Sequence, residues 1–243
     1  MATPTIYPIT IDRYGTDMTQ RASISTMINY ILRVAGWDAD AKGFGVGELN
    51  EENHTWVLSR FAVELSRLPQ AGEKIEIMTW ISNYSRLVTT RCFSISTPSG
   101  EELGGAVSQW CMLDLKARKA IDLNQLHKDY SDYILPEYAE PIARPRRIVT
   151  SASSLSYTHR AAYSDIDFNG HVNSLRYIDL MLNAMPIELL KQNRPLRVDL
   201  QYIHECYHGD NLTINHTHDS DTSSVEIVRN DTESAVKCMV EWR

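Results

Sequence analysis

Residues 163–186 read YSDIDFNGHVNSLRYIDLMLNAMP, a polar loop followed by an amphipathic helix. Asp167, Asn169 and His171 alternate with an aromatic residue and a glycine. Alternate residues of an extended chain point to the same side, so the three polar groups can line one face. Backbone N–H groups at the start of a helix lack intrahelical partners and suit an oxyanion or a polarised carbonyl. The pattern is typical of a hydrolytic site.

A second copy of this plan lies earlier in the chain. Residues 14–36 align with residues 163–185 at an offset of 149, and the segments around Gly72 and Gly209 align at an offset of 137. Each half is therefore predicted to form a short strand, a helix and a run of strands. The change in offset predicts a loop about twelve residues longer in the first half, within the glycine-rich residues 41–53.

Apolar residues at helical spacing predict one long helix in each half. Ser23 and Asn173 are the expected N-caps. The predicted apolar stripe of the first helix comprises Ile24, Met27, Ile28, Ile31 and Ala35. The stripe of the second comprises Leu175, Ile178, Leu182 and Met185. Pro186 is expected to end the second helix or to begin a short helical turn at residues 187–191.

Runs rich in β-branched and aromatic residues predict four further strands in each half. They cover residues 56–65, 74–82, 88–96 and 106–115, and then 197–204, 212–218, 223–229 and 235–242. A helix and a strand meander in each half predict an α+β fold, with a curved sheet around each helix and the two sheets paired edge to edge. The expected domains are residues 1–125 and 151–243, joined by a proline-containing linker at residues 126–150.

Composition excludes several functional classes. The net charge of −7 argues against a broad nucleic-acid-binding face. The chain contains no run of about 18 apolar residues, so no membrane span is predicted. The first fifteen residues lack the charged and apolar regions of a secretory signal, so a cytoplasmic location is expected. There is no glycine-rich phosphate loop and no G-x-S-x-G element.

A metal site is not expected either. The four cysteines form no C-x-x-C pair, and those in strand-like runs are typical of buried free thiols. His204 and His208 flank Glu205 and suggest, together with His171, a possible metal-binding group. However, no H-E-x-x-H element accompanies them. We therefore expect no metal and no cofactor.

The repeat offers a comparison for the polar triplet. At the offset of 149, Asp167, Asn169 and His171 lie opposite Met18, Gln20 and Ala22. The first half then begins its helix without these groups, which favours a functional role for them. The alternative is that Asp167 and Asn169 only shape the loop, because Asp and Asn are common in turns for local reasons.

Glu205 and Cys206 are the remaining candidates. Glu205 follows a predicted strand and lies opposite Leu68 at the offset of 137, so a carboxylate occurs only in the half that holds His171. Cys206 is a possible nucleophile beside the histidine. Adjacent residues of an extended chain face opposite ways, so Glu205 and Cys206 are not expected to share one site. The alternatives are a solvated acid and a small half-buried residue.

Together these residues resemble the acyl-acyl carrier protein thioesterase family of plants and bacteria. The resemblance covers nearly the whole chain and includes D-x-N-x-H-V-N at 167–173, E-C at 205–206, GFG at 43–45 and SQWCMLDLKARK at 108–119. It implies two tandem hotdog units, each a long helix wrapped by a curved antiparallel sheet. It also implies that fatty acyl-carrier thioesters are hydrolysed and free fatty acid is released.

The resemblance implies a catalytic set of Asp167, Asn169, His171 and Glu205, with Cys206 as nucleophile in a competing mechanism. In the expected reaction Glu205 activates water, directly or with His171, while Asp167 orients the imidazole and Asn169 positions the water or the carbonyl. Backbone N–H groups after His171 are expected to stabilise the oxyanion.

The resemblance also implies that the N-terminal half forms most of the acyl pocket and that an acidic carrier protein is the partner. Residues that we place near the pocket are Met18, Met27, Ile28 and Trp37. Two basic clusters are candidates for carrier docking, although solvated charged faces are equally typical of such clusters. They are Arg144, Arg146 and Arg147, and Lys116, Arg118 and Lys119. The alternatives are an acyl-coenzyme A thioesterase, a hotdog hydratase, or a non-catalytic acyl-binding protein, and a homodimer is possible.

Overall fold

The computed structural model describes residues 3–125, 130–150 and 155–243. The chain forms two compact units, Met1–Pro145 and Arg146–Arg243. Parts of the predicted linker and second domain, residues 126–129 and 151–154, lie outside the described residues. The domain boundaries drawn from sequence stay a prediction.

The first unit is an antiparallel sheet with two helices. Its strands follow the order β1-β3-β4-β5-β2, with β6 paired to β5. The elements are β1 (Thr5–Thr10), α1 (Ile24–Ala41), α2 (Val46–Glu51), β2 (His54–Leu65), β3 (Lys74–Tyr84), β4 (Thr89–Ser96), β5 (Glu102–Asp114) and β6 (Lys119–Ala120).

The second unit repeats this topology. Its strands follow the order β7-β9-β10-β11-β8, again antiparallel throughout. The elements are β7 (Leu155–Arg160), α3 (Ser174–Ala184), α4 (Ile187–Leu190), β8 (Leu196–Tyr202), β9 (Asn211–Asp219), β10 (Thr222–Arg229) and β11 (Glu233–Trp242). The α+β class and the predicted strands are confirmed, with ends that differ by a few residues.

Each long helix packs on its own sheet. Helix α1 lies against β1 and β3, and α3 lies against β7, β9 and β10. The predicted N-caps are confirmed: the Ser23 hydroxyl accepts the Thr26 N–H at 3.0 Å, and the Asn173 side chain accepts the Leu175 N–H at 2.9 Å. These side chains satisfy backbone donors that would otherwise have no partner. They fix where the two helices begin.

The buried face of α3 differs from the prediction. Leu175 and Leu182 are only half-buried, whereas Tyr177 and Met181 are buried. A tyrosine can bury its ring while its hydroxyl finds a polar partner. Here the Tyr177 hydroxyl accepts a hydrogen bond from the backbone N–H of Cys206, so the ring can be buried in the core. A prediction that counts only apolar residues omits Tyr177 because it carries a polar group.

The long glycine-rich loop predicted at residues 41–53 contains a helix, α2. Its buried residue, Leu49, packs with Met112 and Leu123. Burying a leucine contributes about 1.5–3 kcal/mol, which exceeds the cost of about 0.5–1 kcal/mol for Gly47 inside the helix. Tertiary packing therefore stabilises a helix that local sequence does not predict.

Candidate active site

The loop before α3 is stabilised by its own carboxylate. Asp167 Oδ1 accepts the backbone N–H of Asn169 at 2.8 Å and that of His171 at 3.2 Å. The Asp167 N–H donates to the His171 carbonyl at 2.8 Å, and Gly170 has a φ of 79°. Asp167 therefore holds His171 through the main chain, whereas we predicted that it orients the imidazole itself.

The first unit contains the same loop, one residue away from the alignment drawn from sequence. The Asp17 N–H donates to the Arg21 carbonyl at 2.8 Å, and Asp17 Oδ1 accepts the Thr19 N–H at 2.7 Å. The N-caps Ser23 and Asn173 also differ by 150 residues rather than 149. The offset of 149 is therefore wrong by one.

The corrected offset changes what the repeat says about each residue. Asp167 has Asp17 as its counterpart, which supports the loop-shaping role that we had set as the alternative. Asn169 lies opposite Thr19 and His171 opposite Arg21, so the amide and the imidazole remain particular to the second unit. Asn169 is exposed, and its side-chain amide makes no hydrogen bond to any residue that the structure describes.

A buried ion-pair cluster anchors this loop from behind. Asp165 is 1% exposed and contacts His159 Nε2 at 2.7 Å and Arg176 Nε at 3.1 Å. It also accepts the Ala162 N–H, and its carbonyl accepts the N–H of Asn173. Burial alone would raise the pKa of Asp165, but these partners outweigh it and lower the pKa overall. A charged Asp165 thus joins β7, the loop and α3.

His171 and Glu205 meet although 34 positions separate them in the chain. His171 Nε2 lies 3.5 Å from Glu205 Oε2, and about a quarter of each side chain is exposed to solvent. The Val172 N–H donates to the Cys206 carbonyl at 2.8 Å and joins the two segments. Catalytic hydrogen bonds are often long without substrate and shorten in the reacting complex. An imidazole and a carboxylate in contact at a solvent-accessible position can activate water.

Backbone N–H groups after His171 are mostly occupied. Those of Val172 and Asn173 donate to backbone carbonyls, and that of Leu175 donates to the helix cap. The Ser174 N–H, the first of α3, makes no hydrogen bond within residues 3–125, 130–150 and 155–243. Of the donors expected for an oxyanion, Ser174 N–H is the one left available by the fold.

Cys206 belongs to the buried core, whereas the His171 and Glu205 side chains are partly exposed. It is completely buried, and burial raises the pKa of its thiol. Its backbone N–H donates to the Tyr177 hydroxyl at 3.1 Å. A buried thiol with a raised pKa is a poor source of thiolate, so these observations favour Glu205 over Cys206 as the reacting group.

Sequence reasoning missed Tyr207 and Arg229, which border the same site. The Tyr207 hydroxyl donates to Glu205 Oε2 at 3.1 Å, and Arg229 Nη1 donates to the Glu205 carbonyl at 2.6 Å. Tyr207 is two residues after Glu205, so strand alternation was a signal that it lies on the same side. No comparable local signal exists for Arg229, which comes from β10.

The metal-binding alternative gains no support. His204 is exposed and its Nδ1 lies 2.8 Å from the Ser234 carbonyl. Within the described ranges, no three or more His, Cys, Asp or Glu side chains converge as metal ligands would.

In the same ranges, no helix is long and apolar enough to cross a membrane.

The first unit contains a cavity of about 230 Å³ between α1, α2 and the sheet. Its wall is largely aromatic, with small residues on the α1 side. The aromatic members are Phe44, Trp56, Tyr84, Trp110 and Tyr130, and the small ones are Ala35, Gly36 and Ala39. None of the four residues that we placed near a pocket lines this cavity, so their placement stays a prediction. Met27 and Ile28 are fully buried in the core, whereas Met18 and Trp37 are exposed.

The two basic clusters differ in their surroundings. Arg144 donates repeatedly to Glu140, and Arg146 donates to Asp199 and Glu241, so internal carboxylates already neutralise much of that charge. Arg147 is exposed. In the other cluster, Lys116, Arg118 and Lys119 are all exposed: the first two lie in the turn between β5 and β6, and Lys119 begins β6.

The two units share one topology, with a long helix on an antiparallel sheet, which defines a tandem hotdog protein. The histidine–carboxylate contact in the second unit gives it a hydrolase-like site. The chain matches the acyl-ACP thioesterase N-terminal domain over residues 5–131 and the acyl-ACP thioesterase C-terminal domain over residues 149–243. It belongs to the acyl-ACP thioesterase family.

A solved acyl-ACP thioesterase from Bacteroides thetaiotaomicron is 36% identical, with a TM-score of 0.90, and the match covers 99% of this chain and 98% of that one. The 12:0-ACP thioesterase from Umbellularia californica shares the fold at 18% identity, with a TM-score of 0.85 and coverage of 99% and 97%. The predicted tandem hotdog fold is thereby confirmed.

Among curated relatives, the chloroplastic palmitoyl-acyl carrier protein thioesterase of Cuphea hookeriana is 28% identical over 209 residues. The match covers 79% of this chain and 49% of the relative. The chain thus spans about half the length of the curated relatives that it matches.

Proposed function

We propose that this chain hydrolyses fatty acyl thioesters of acyl carrier protein, releasing a free fatty acid and the carrier thiol and so ending chain elongation. The observation that carries this proposal is the contact of His171 Nε2 with Glu205 Oε2, 3.5 Å apart, in a chain of the acyl-ACP thioesterase family. The names of the relatives, acyl-ACP thioesterases from bacteria and plants, support the carrier-bound substrate.

In the proposed reaction a water molecule attacks the thioester carbonyl while Glu205 accepts its proton. The negative charge on the carbonyl oxygen is stabilised by the Ser174 N–H and by the exposed amide of Asn169. The carbon–sulfur bond then breaks, and the proton returns through His171 to the leaving thiolate. Asp167 keeps His171 in place through the main chain.

We propose that the alkyl tail binds in the cavity of the first unit. An apolar cavity of 150 Å³ accepts benzene, with six carbons, so 230 Å³ holds by proportion about nine carbons. Each buried methylene contributes about 0.8 kcal/mol to binding. The proposal therefore favours acyl chains of medium length.

Gly36→Leu is expected to shift product length downwards. Gly36 lines the cavity from α1, and a Cβ added there meets no atom within 4 Å. A leucine that displaces about two methylenes of substrate costs about 1.6 kcal/mol, on the order of 10-fold in kcat/KM for the longest accepted chain. Chains a few carbons shorter should be little affected. Kinetics on a series of saturated acyl-carrier substrates measures this shift.

Gly47→Leu is the matched control for this substitution. Gly47 is also an exposed helical glycine with no atom within 4 Å of an added Cβ, but it does not line the cavity. It should leave the chain-length profile unchanged. Identical profiles for the two variants would exclude the cavity as the site of the alkyl tail.

The exposed cluster of Lys116, Arg118 and Lys119 is our candidate for carrier docking. An acidic carrier is attracted by cations that face solvent, and salt screens this attraction. Arg144 and Arg146 suit docking less well because Glu140, Asp199 and Glu241 already pair with them.

Hydrolysis of one acyl group on carrier protein and on coenzyme A tests both substrate and docking. We expect preference for the carrier substrate, and we expect Lys116→Glu with Lys119→Glu to raise its KM about 10-fold at low salt. The double variant should turn over the coenzyme A substrate at the wild-type rate. Lys74→Glu, an exposed control in the first unit, should leave turnover of the carrier substrate unchanged. Preference for coenzyme A would instead favour an acyl-coenzyme A thioesterase.

A cytoplasmic location and a homodimer stay predictions from the sequence.

A further inference from the structure

Two side chains, Tyr207 and His171, converge on one oxygen of Glu205. The Tyr207 hydroxyl donates to Oε2 at 3.1 Å, and His171 Nε2 lies 3.5 Å from the same atom. A glutamate side chain loses considerable rotamer freedom when it is fixed. The hydrogen bond from Tyr207 to Oε2 therefore limits the orientations that the carboxylate can adopt beside the imidazole.

Tyr207 is itself held from several sides. Its ring meets the His171 ring edge-on, with centroids 5.2 Å apart and an interplanar angle of 83°. The Arg229 guanidinium carbon lies 6.0 Å from the Tyr207 ring centroid, and the Tyr207 N–H donates to the Asp210 carboxylate at 2.8 Å. Such contacts fix the hydroxyl before substrate arrives, which is the condition for effective positioning.

The first unit shows that the backbone here does not require these side chains. The bridge between His171 and Tyr207 has a counterpart between Arg21 and Gln70. Gln70 thus takes the position of Tyr207, and Leu68 takes that of Glu205. The tyrosine and the carboxylate occur together in one unit and are both absent at the corresponding positions of the other.

We propose that Tyr207 is a positioning residue for Glu205. It fixes the carboxylate through Oε2 so that the group is aligned with His171 and faces the attacking water. This inference rests on the proposed thioester hydrolysis. A tyrosine with only a packing role would act through its ring, whereas the positioning role depends on its hydroxyl.

Tyr207→Phe tests the inference because it removes the hydroxyl and keeps the ring. We expect kcat on an acyl-carrier substrate to fall about 10-fold, with KM and thermal stability unchanged. Tyr163→Phe, which alters an exposed tyrosine at the start of the same loop, should match wild type. In a Glu205→Asp background, where the shorter side chain withdraws the carboxylate from the hydroxyl, Tyr207→Phe should change kcat less than about twofold.

Wild-type kcat in the Tyr207→Phe variant, or an undiminished 10-fold effect in the Glu205→Asp background, would overturn the positioning role. Failure of the proposed function looks different, because the wild-type chain would then hydrolyse no acyl-carrier thioester at all. The two failures are therefore separated by the first measurement in the series.

Discussion

Glu205→Gln is expected to lower kcat on acyl-carrier substrates by about 100- to 10,000-fold, with KM nearly unchanged. Glutamine keeps the shape of the side chain and can still contact His171 and Tyr207, but it cannot accept a proton from water. The loss should therefore appear in the chemical step rather than in substrate binding. Steady-state kinetics on one acyl-carrier substrate, with a thermal melt to establish folding, measures it.

Cys206→Ala is the variant that separates water attack from a cysteine nucleophile. Because Cys206 is completely buried and burial raises the pKa of its thiol, we expect this variant to keep most of the wild-type turnover. It can lose some stability, since it removes a buried sulfur beside Tyr177. If Cys206→Ala were inactive while Glu205→Gln remained active, the roles assigned to these two residues would be reversed.

The parts of the fold that follow from local chemistry were predictable from sequence. β-Branched runs located strands such as β3 and β10, and the caps Ser23 and Asn173 located the helix starts. The elements that depend on tertiary packing were not. Helix α2 exists because Leu49 finds buried partners, and a local pattern gives no information about those partners.

The candidate site divides in the same way. His171 and Glu205 were found because the first half lacks both groups, and that contrast survives the corrected offset. The counterpart of Asp167, which is Asp17, was missed because the alignment was wrong by one residue. The residues that line the cavity were not predicted because its wall joins α1, α2 and several strands, which sequence spacing does not bring together.

A buried ion pair beside the cavity has the largest expected effect on stability. Arg91 lines the cavity and pairs with Asp38, whose side chain is 1% exposed, while Lys42 contacts the same carboxylate. Asp38→Asn replaces the carboxylate with a neutral amide, so the Arg91 guanidinium would stay buried without its charged partner. Breaking a buried pair in this way costs about 3–5 kcal/mol. Urea unfolding followed by tryptophan fluorescence measures it, since four of five tryptophans lie in the first unit.

The controls decide whether the charge pair itself is responsible. Asp40→Asn changes an exposed acid on the same helix and should cost less than about 0.5 kcal/mol. Asp38→Leu combined with Arg91→Met removes the buried guanidinium together with the carboxylate, and it should recover most of the loss because Lys42, the remaining partner, is partly exposed to solvent. A double variant as unstable as Asp38→Asn would show that the shape of these side chains matters more than their charge.

The effect of Asp38 should also depend on pH in a definite direction. Burial alone would raise the pKa of Asp38, but Arg91 and Lys42 outweigh it, so the pKa is lowered in the folded chain. A group with a lowered folded pKa stabilises the fold above its unfolded pKa, about 3.9 for Asp, and loses that contribution as pH falls through the folded pKa. The difference between wild type and Asp38→Asn should therefore be full at pH 7 and shrink below about pH 4. A difference that stayed constant down to pH 3 would mean that Asp38 is not the charged partner of Arg91.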